Sequence, residues 1–241
     1  MRYGIFSDVH SNMEAFKEAV NWFSKQNIDR YIFLGDIVGY GAQPHEAIYL
    51  LKELNPIRVA GNHDWACVGK FNLELLNSYA REAIIWTQSV LKPGDKTFLK
   101  LSSLIYEDKN FVCVHGSLEE PSEFHYVLNY EDAGLCFSAM DKNICFIGHS
   151  HKPGVWTLKE GKIDYATPAR VSLENGIRYI VNVGSIGQPR DGDNRGCACI
   201  YDTEKKMVIF HRFEYNIKKT ADKILKAGLP SILAQRLYVG R

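Results

Sequence analysis

The chain has 241 residues, 46% of them apolar and 24% charged, and its 29 basic and 28 acidic side chains leave a net charge of +1. This is the composition of a folded globular protein, which excludes a largely disordered chain. A charge so near zero leaves no electrostatic footprint for nucleic acid or an anionic membrane, so an anionic ligand must be held by a local device.

In chain order, Tyr3 to Phe6 reads as a short buried strand. A helix follows from Asn12, its N-cap, to Gln26, with Met13, Phe16, Ala19, Val20 and Phe23 at helical spacing. Tyr31 to Leu34 is a second buried strand, and Pro44 opens a helix that runs to Leu54. Ile57 to Ala60 is a third strand. Three strand–helix units in succession predict parallel strands joined by crossover helices. A helical stretch from Asn72 to Leu91 is expected to stop at Pro93-Gly94. Phe111 to Val114 and Ile144 to Ile147 are further buried strands.

Beyond residue 150 the pattern turns to strands: Val155–Leu158, Lys162–Tyr165, Val171–Glu174, Arg178–Val183, Cys197–Tyr201 and Val208–Phe213. Turn signals at Glu160-Gly161 and Asn175-Gly176 predict hairpins. The C-terminal segment from Ile217 returns to helix, broken at Gly228-Leu229-Pro230. No linker or repeat divides the chain, so a single domain over residues 1–241 is expected.

No apolar run approaches the roughly 20 residues of a membrane helix, and Asp8 ends the N-terminal apolar stretch before signal-peptide length. The cysteines at 67, 113, 136, 145, 197 and 199 form no Cys-x-x-Cys pair, and several lie in apolar runs. They read as reduced core residues, which excludes a secreted disulfide scaffold and points to a cytoplasmic protein.

The ends of the buried strands carry the chemistry. They read Asp8-Val9-His10, Gly35-Asp36, Gly61-Asn62-His63-Asp64, His115-Gly116 and Gly148-His149-Ser150-His151, and hold five of the eight histidines. Ligands of open α/β sheets bind at the carboxyl ends of strands, so these groups should meet on one rim. Asp, Asn and His together suit Zn, Mn, Fe or Ni, and the lack of cysteine argues against a structural thiolate site. Asp8 and His10 stand two residues apart, as do His149 and His151; in an extended backbone each pair would face one side. Any single one of these clusters is a common accident, but five in order at five strand ends are not.

This ordered set resembles the calcineurin-like metallophosphoesterase superfamily. Asp8-Val9-His10-Ser11-Asn12, Gly35-Asp36-Ile37-Val38-Gly39-Tyr40-Gly41, Gly184 to Asp191 and Ala227-Gly228-Leu229-Pro230, followed by Arg236-Leu237, are most similar to its small bacterial and archaeal phosphoesterases. The resemblance implies a four-layer α/β/β/α sandwich of two mixed sheets flanked by helices, with two divalent transition-metal ions (Mn, Fe, Zn or Ni). It implies that Asp8, His10, Asp36 and His151 hold the first ion, and that Asp36, Asn62, His115 and His149 hold the second. A shared carboxylate such as Asp36 softens the repulsion between two cations.

His63 resembles the catalytic histidine that assists the leaving group. Asp64 either orients His63 or a ligand, or caps the next helix. The implied activity is hydrolysis of a small phosphoester, by a phosphodiesterase or a broad-specificity phosphatase. A Ser/Thr protein phosphatase, a dinucleoside-polyphosphate hydrolase and a non-catalytic scaffold of the same fold are the alternatives. The protein phosphatases carry an Asp-Arg pair where this chain has Gly39-Tyr40, which weighs against that alternative. Arg190, in the Gly187–Asp191 loop, is the candidate replacement for the phosphate-binding arginine, and Asn12 a candidate donor on the same rim; pairing of Arg190 with Asp191 or Asp193, or stabilisation of the loop by Arg190, is the competing expectation.

Overall fold

Two six-stranded sheets lie face to face in the computed structural model, which describes residues 1–241. The first half of the chain alternates strand and helix: β1 (Arg2–Phe6), α1 (Met13–Phe23), β2 (Arg30–Phe33), α2 (Pro44–Leu54), β3 (Ile57–Arg58) and α3 (Asn62–Cys67). Next come α4 (Ser78–Val90), α5 (Pro93–Lys100), β4 (Ile105–Glu107), β5 (Phe111–Val114), α6 (Tyr130–Ser138) and β6 (Ile144–Ile147). The remainder comprises β7 (Gly154–Lys159), β8 (Lys162–Ala166), β9 (Arg170–Ser172), β10 (Arg178–Asn182), β11 (Gly196–Asp202), β12 (Met207–Phe213), α7 (Ile217–Lys226) and α8 (Ser231–Val239).

The strand order is β3-β2-β1-β11-β12-β9 in one sheet and β4-β5-β6-β10-β7-β8 in the other. Both sheets are mixed. β1, β2 and β3 run parallel, as do β5, β6 and β10, while the flanking strands are antiparallel. The sheets are therefore an α/β sandwich of the expected kind.

Alternation along each strand explains the layers. Ile5 and Ile32 face the second sheet, where they meet Phe111, Phe146 and Val181. Phe6 and Phe33 face the other way, onto Phe16, Phe23 and Leu51 of α1 and α2 and onto the C-terminal helices. On the far side of the second sheet, Val112, Cys145 and Ile180 pack under Ala133, Cys136 and Phe137 of α6. Strands buried on both faces read as continuous apolar runs, which is why they were legible. Each of the fully buried phenylalanines is worth about 1.5–3 kcal/mol in transfer free energy. All six cysteines are free and buried, as expected.

Three elements depart from expectation. Pro93-Gly94 does more than stop α4: Pro93 occupies the first turn of α5, whose Asp95 accepts from the Lys92 N–H at 3.2 Å. The helix α6 and the strand β4 carry too weak a pattern to be seen. Glu160-Gly161 does close a two-residue hairpin between β7 and β8, but Asn175-Gly176 does not. β9, before that dipeptide, pairs with β12 of the first sheet, and β10, after it, pairs with β6 and β7 of the second. The turn lets the chain change sheets, because Tyr179 and Val181 are apolar enough to enter the core between the sheets. No helix is long and apolar enough to cross a membrane.

Candidate metal centre

The parallel strands of both sheets end at one rim, and backbone hydrogen bonds lock their exits together. Asp8 N–H donates to the Gly35 carbonyl at 3.0 Å, Gly148 N–H to that of His115 at 2.9 Å, and Gly187 N–H to that of Asp8 at 2.9 Å. The Ser185 hydroxyl also donates to the Asp8 carbonyl, at 2.8 Å. The five motif segments are thus tied to one another before any side chain is considered.

The backbone geometry there differs from the extended form expected for the Asp-x-His and His-x-His pairs. Asp8, His10, Asp36, His149 and His151 have φ of 54°, 48°, 62°, 64° and 60°, in the left-handed region. Such a conformation is rare for residues other than glycine, and clusters where a site is held under strain by its surroundings. The pairs converge through left-handed turns off the strand ends, not by alternation along a strand. Gly61 permits the closest approach: a Cβ there would stand 2.0 Å from Asp36 Oδ1.

The result is a buried nest of ligand-type atoms in overlapping groups: Asp8 with His10 and His151, His10 with Asp36 and His63, and Asp36 with His115 and His149. His151 Nε2 lies 3.2 Å from Asp8 Oδ1, and His115 Nε2 lies 3.3 Å from Asp36 Oδ2. Asp36 Oδ2 is also 3.7 Å from His10 Nε2, so this one oxygen faces both groups. Asn62 Oδ1, Asp8 Oδ1, Asp36 Oδ2 and His115 Nε2 are all buried without a hydrogen-bond partner.

The outward ring nitrogens are all occupied. Nδ1 of His10, His115 and His151 faces the carbonyls of Val38, Leu34 and Gln188 at 2.9, 2.6 and 2.5 Å. A carbonyl only accepts, so each Nδ1 carries the proton and each Nε2 presents its free side inward. Burial pushes His10 and His151 below the ordinary histidine range, which keeps both neutral. Their Nε2 atoms nonetheless face each other at 3.2 Å. Two lone pairs at that distance repel each other, and a cation between or beside them would relieve the repulsion. His115 behaves oppositely: against burial, Asp36 and then Asp8 raise it to about 9. The same negative field draws in a divalent ion, so the residues present fit a metal centre.

His63 and Asp64 sit in the first turn of α3, beside this nest. The His63 N–H donates to Asp36 Oδ1 at 2.9 Å, which helps aim the other Asp36 oxygen inward. Its ring packs at 4.8 Å from that of His10 and 4.5 Å from that of Tyr40. Gly39 is a close neighbour, since a Cβ there would meet His63 Nδ1 at 2.3 Å. Burial lowers His63 to about 4, with Asp36 opposing and Arg190 adding to the effect.

Asp64 does not reach the His63 ring. Its carboxylate accepts from the backbone N–H groups of Asp36 at 2.8 Å, Ile37 at 3.0 Å and Gly61 at 3.3 Å. It therefore caps α3 and clamps the loop that carries Asp36; a direct catalytic role is corrected to positioning. Burial and then the Asp36 charge raise it to about 7, against the pull of these N–H donors.

Asn12 is likewise corrected. Its amide nitrogen donates to the Gly187 carbonyl at 2.8 Å, and its oxygen accepts from Ala15 N–H at 3.1 Å and from the Thr220 hydroxyl at 3.0 Å. It is buried and capping α1, so it offers no donor to the rim.

Arg190 makes neither of the surface ion pairs weighed for it, and its bond to Gln188 ties it into its own loop. Asp191 pairs with Arg212, and Asp193 with Arg195 at 2.7 Å. The half-buried Arg190 guanidinium instead donates to the Tyr40 hydroxyl at 3.2 Å and to Gln188 Oε1 at 2.9 Å, and has no carboxylate partner. Its own N–H donates to the His151 carbonyl at 3.3 Å, fixing it beside the nest.

Two neighbours escaped sequence reasoning: Tyr40, over His10 and His63, and Tyr126, stacked on His149 at 3.9 Å between ring centroids. Tyr126 stands in no recognisable pattern, whereas Tyr40 lies in the Gly35–Gly41 segment that carries the family resemblance, without a role that the segment itself reveals. Replacing Arg190 by Ala, or by Lys, which lacks the planar fork, should lower kcat/KM about 10- to 100-fold without loss of metal. Steady-state kinetics with metal analysis checks this; wild-type kinetics in both variants would make Arg190 a loop-stabilising residue only.

Fold and site together define an α/β sandwich protein with a buried histidine–aspartate nest suited to metal. The sequence profile of the calcineurin-like phosphoesterase superfamily domain matches residues 1–206, and the chain belongs to that family. It is similar to a metallophosphoesterase from Sphaerobacter thermophilus, with 37% identity, a TM-score of 0.88, and 100% of this chain and 99% of the other covered. It is also 37% identical to the uncharacterized protein MJ0912 of Methanocaldococcus jannaschii, over 98% of this chain and 97% of that one. The hypothetical protein PH1004 of Pyrococcus horikoshii shares the fold at 20% identity and a TM-score of 0.80, over 100% and 98% of the two chains. Family membership places the protein among phosphoester hydrolases.

Proposed function

We propose that the protein hydrolyses small phosphoesters with two divalent transition-metal ions, one held by Asp8, His10, Asp36 and His151 and the other by Asp36, Asn62, His115 and His149. The observation that carries this is the pair of neutral Nε2 atoms, His10 to His151, at 3.2 Å, beside carboxylate oxygens with no donor. Bound divalent ions supply Lewis acidity and an activated water at such a site. The chain's own residues do the rest. Arg190 binds phosphoryl oxygens, with Tyr40 holding its guanidinium in place. Once a bound phosphate offsets the Arg190 charge, the His63 ring takes up a second proton from water, hydrogen-bonds the departing oxygen and gives that proton to it. Asp64 keeps the Asp36 loop from drifting.

The Gly39-Tyr40 segment covers His63 closely, in place of the Asp-Arg pair of protein phosphatases, which favours small substrates over phosphoproteins. Metal quantification with a turnover panel of mono- and diesters in Mn, Fe, Zn and Ni tests the proposal. The expected result is two ions per chain and turnover that disappears with chelation. No turnover on any ester with any metal would leave a scaffold of the same fold.

A further inference from the structure

The last helix brings a second guanidinium to the site. Arg236 of α8 lies with its Cζ 6.0 Å from the centre of the Tyr40 ring, and Arg190 lies with its Cζ 5.5 Å from the same ring. Arg236 is half-buried and has no carboxylate of Asp or Glu within ion-pair distance; only its Nε is occupied, by the main-chain oxygen of Arg241. Burial and the Arg190 charge both weaken its hold on its proton, a double cost that an anion between the two would relieve.

This placement is built in. The loop that carries Arg190 is strapped to the end of α8: Gly192 N–H donates to the Gly240 carbonyl at 2.9 Å, and Asn194 Nδ2 to that of Tyr238 at 3.1 Å. Gly240 ends α8 in a left-handed turn packed on Asp193. Arg190 is the inner of the two cations, since its own N–H donates to the carbonyl of His151 at 3.3 Å. Arg236 is therefore the outer one, and Tyr40 is the platform they share.

We propose that Arg236 is a specificity-determining residue that selects phosphoesters bearing a second phosphate group next to the scissile one. Arg190 takes the phosphoryl group at the nest, and Arg236 takes its neighbour one group outward. The inference rests on the hydrolase reading above and adds the substrate class to it. A fork of donors suits such a group, and lysine reproduces the charge but not the fork.

A nucleoside 5′-diphosphate and the matching monophosphate test this, as substrates of the metal-loaded wild type and of Arg236→Ala, Arg236→Lys and Arg190→Ala. The wild type should favour the diphosphate. Arg236→Ala should shrink that preference in kcat/KM about 10- to 100-fold, Arg236→Lys should restore only part of it, and Arg190→Ala should weaken both substrates in parallel. Calorimetry with the α,β-methylene diphosphate against the monophosphate reads the same preference without turnover. An unchanged preference in Arg236→Ala overturns the inference while leaving the hydrolase reading intact. Absent turnover with a calorimetric preference that needs Arg236 sustains the inference and sinks the hydrolase reading instead.

Discussion

Asp36→Asn is expected to lose at least one of two bound metals and to reduce turnover to background. The substitution keeps volume and shape, so the effect isolates the charge. Asp36 Oδ1 is already engaged by the His63 N–H, and an asparagine oxygen can keep that bond. The other atom, Oδ2, faces His115 Nε2 at 3.3 Å and His10 Nε2 at 3.7 Å with no donor of its own. Against burial, His115, His63 and His10 hold this carboxylate below the usual range, so wild-type Asp36 is ionised at neutral pH. An amide nitrogen in its place points donors at two lone pairs that a metal would otherwise fill.

The metal-free variant also loses the buried Asp36–His115 pair, so its thermal midpoint at neutral pH should fall below that of the metal-free wild type. Metal affinity should drop by more than the 10- to 100-fold typical of losing an outer hydrogen-bonding partner of a metal ligand. Metal quantification, calorimetry and a turnover assay read these effects together. Two tightly bound ions with near-normal turnover would contradict the assignment of Asp36 as the shared ligand.

His63→Ala should cut turnover about 10²- to 10⁴-fold while metal content stays close to wild type. The two readouts separate because two of the three ligand-type groups, Asp8 with His10 and His151 and Asp36 with His115 and His149, stand without His63, which joins only the third, with His10 and Asp36. Its buried Nδ1 has no partner in the substrate-free chain, so the ring is uncommitted until a substrate arrives. At about 4, His63 is neutral at pH 7, and an incoming phosphate between it and Arg190 offsets the positive charge that helps keep it so. A leaving group of low pKa needs neither proton nor hydrogen bond. The cost of His63→Ala should therefore shrink along a series of aryl phosphates of falling leaving-group pKa. A loss of equal size across that series would assign His63 an electrostatic role in place of proton donation.

Much of the site was legible because strand ends in α/β sheets are where function collects, and five such ends carried Asp, Asn or His directly after apolar runs. The strands themselves were legible for a related reason. Those buried on both faces, such as Phe111–Val114 and Ile144–Ile147, leave no room for polar residues. Glu160-Gly161 was readable as a hairpin because its flanking strands alternate and stay in one sheet.

Other features belonged to the tertiary structure alone. Asn175-Gly176 has the same local chemistry as a hairpin turn, yet the partners of its flanking strands, β12 on one side and β6 on the other, lie far away in sequence. Left-handed φ at Asp8, His10, Asp36, His149 and His151 has no residue-type signature, because these conformations are imposed by bonds between distant segments such as Gly187 N–H to Asp8. Asn12 looked like a rim donor until Gly187 and Thr220 took both ends of its amide. Arg236 lies in the C-terminal segment that carries the family resemblance, but more than a hundred residues from Tyr40, and only the strap between α8 and the Arg190 loop makes the two neighbours. Local pattern and burial determined which residues carry chemistry; long-range pairing decided which of them face the same point in space, because that depends on partners the local sequence does not contain.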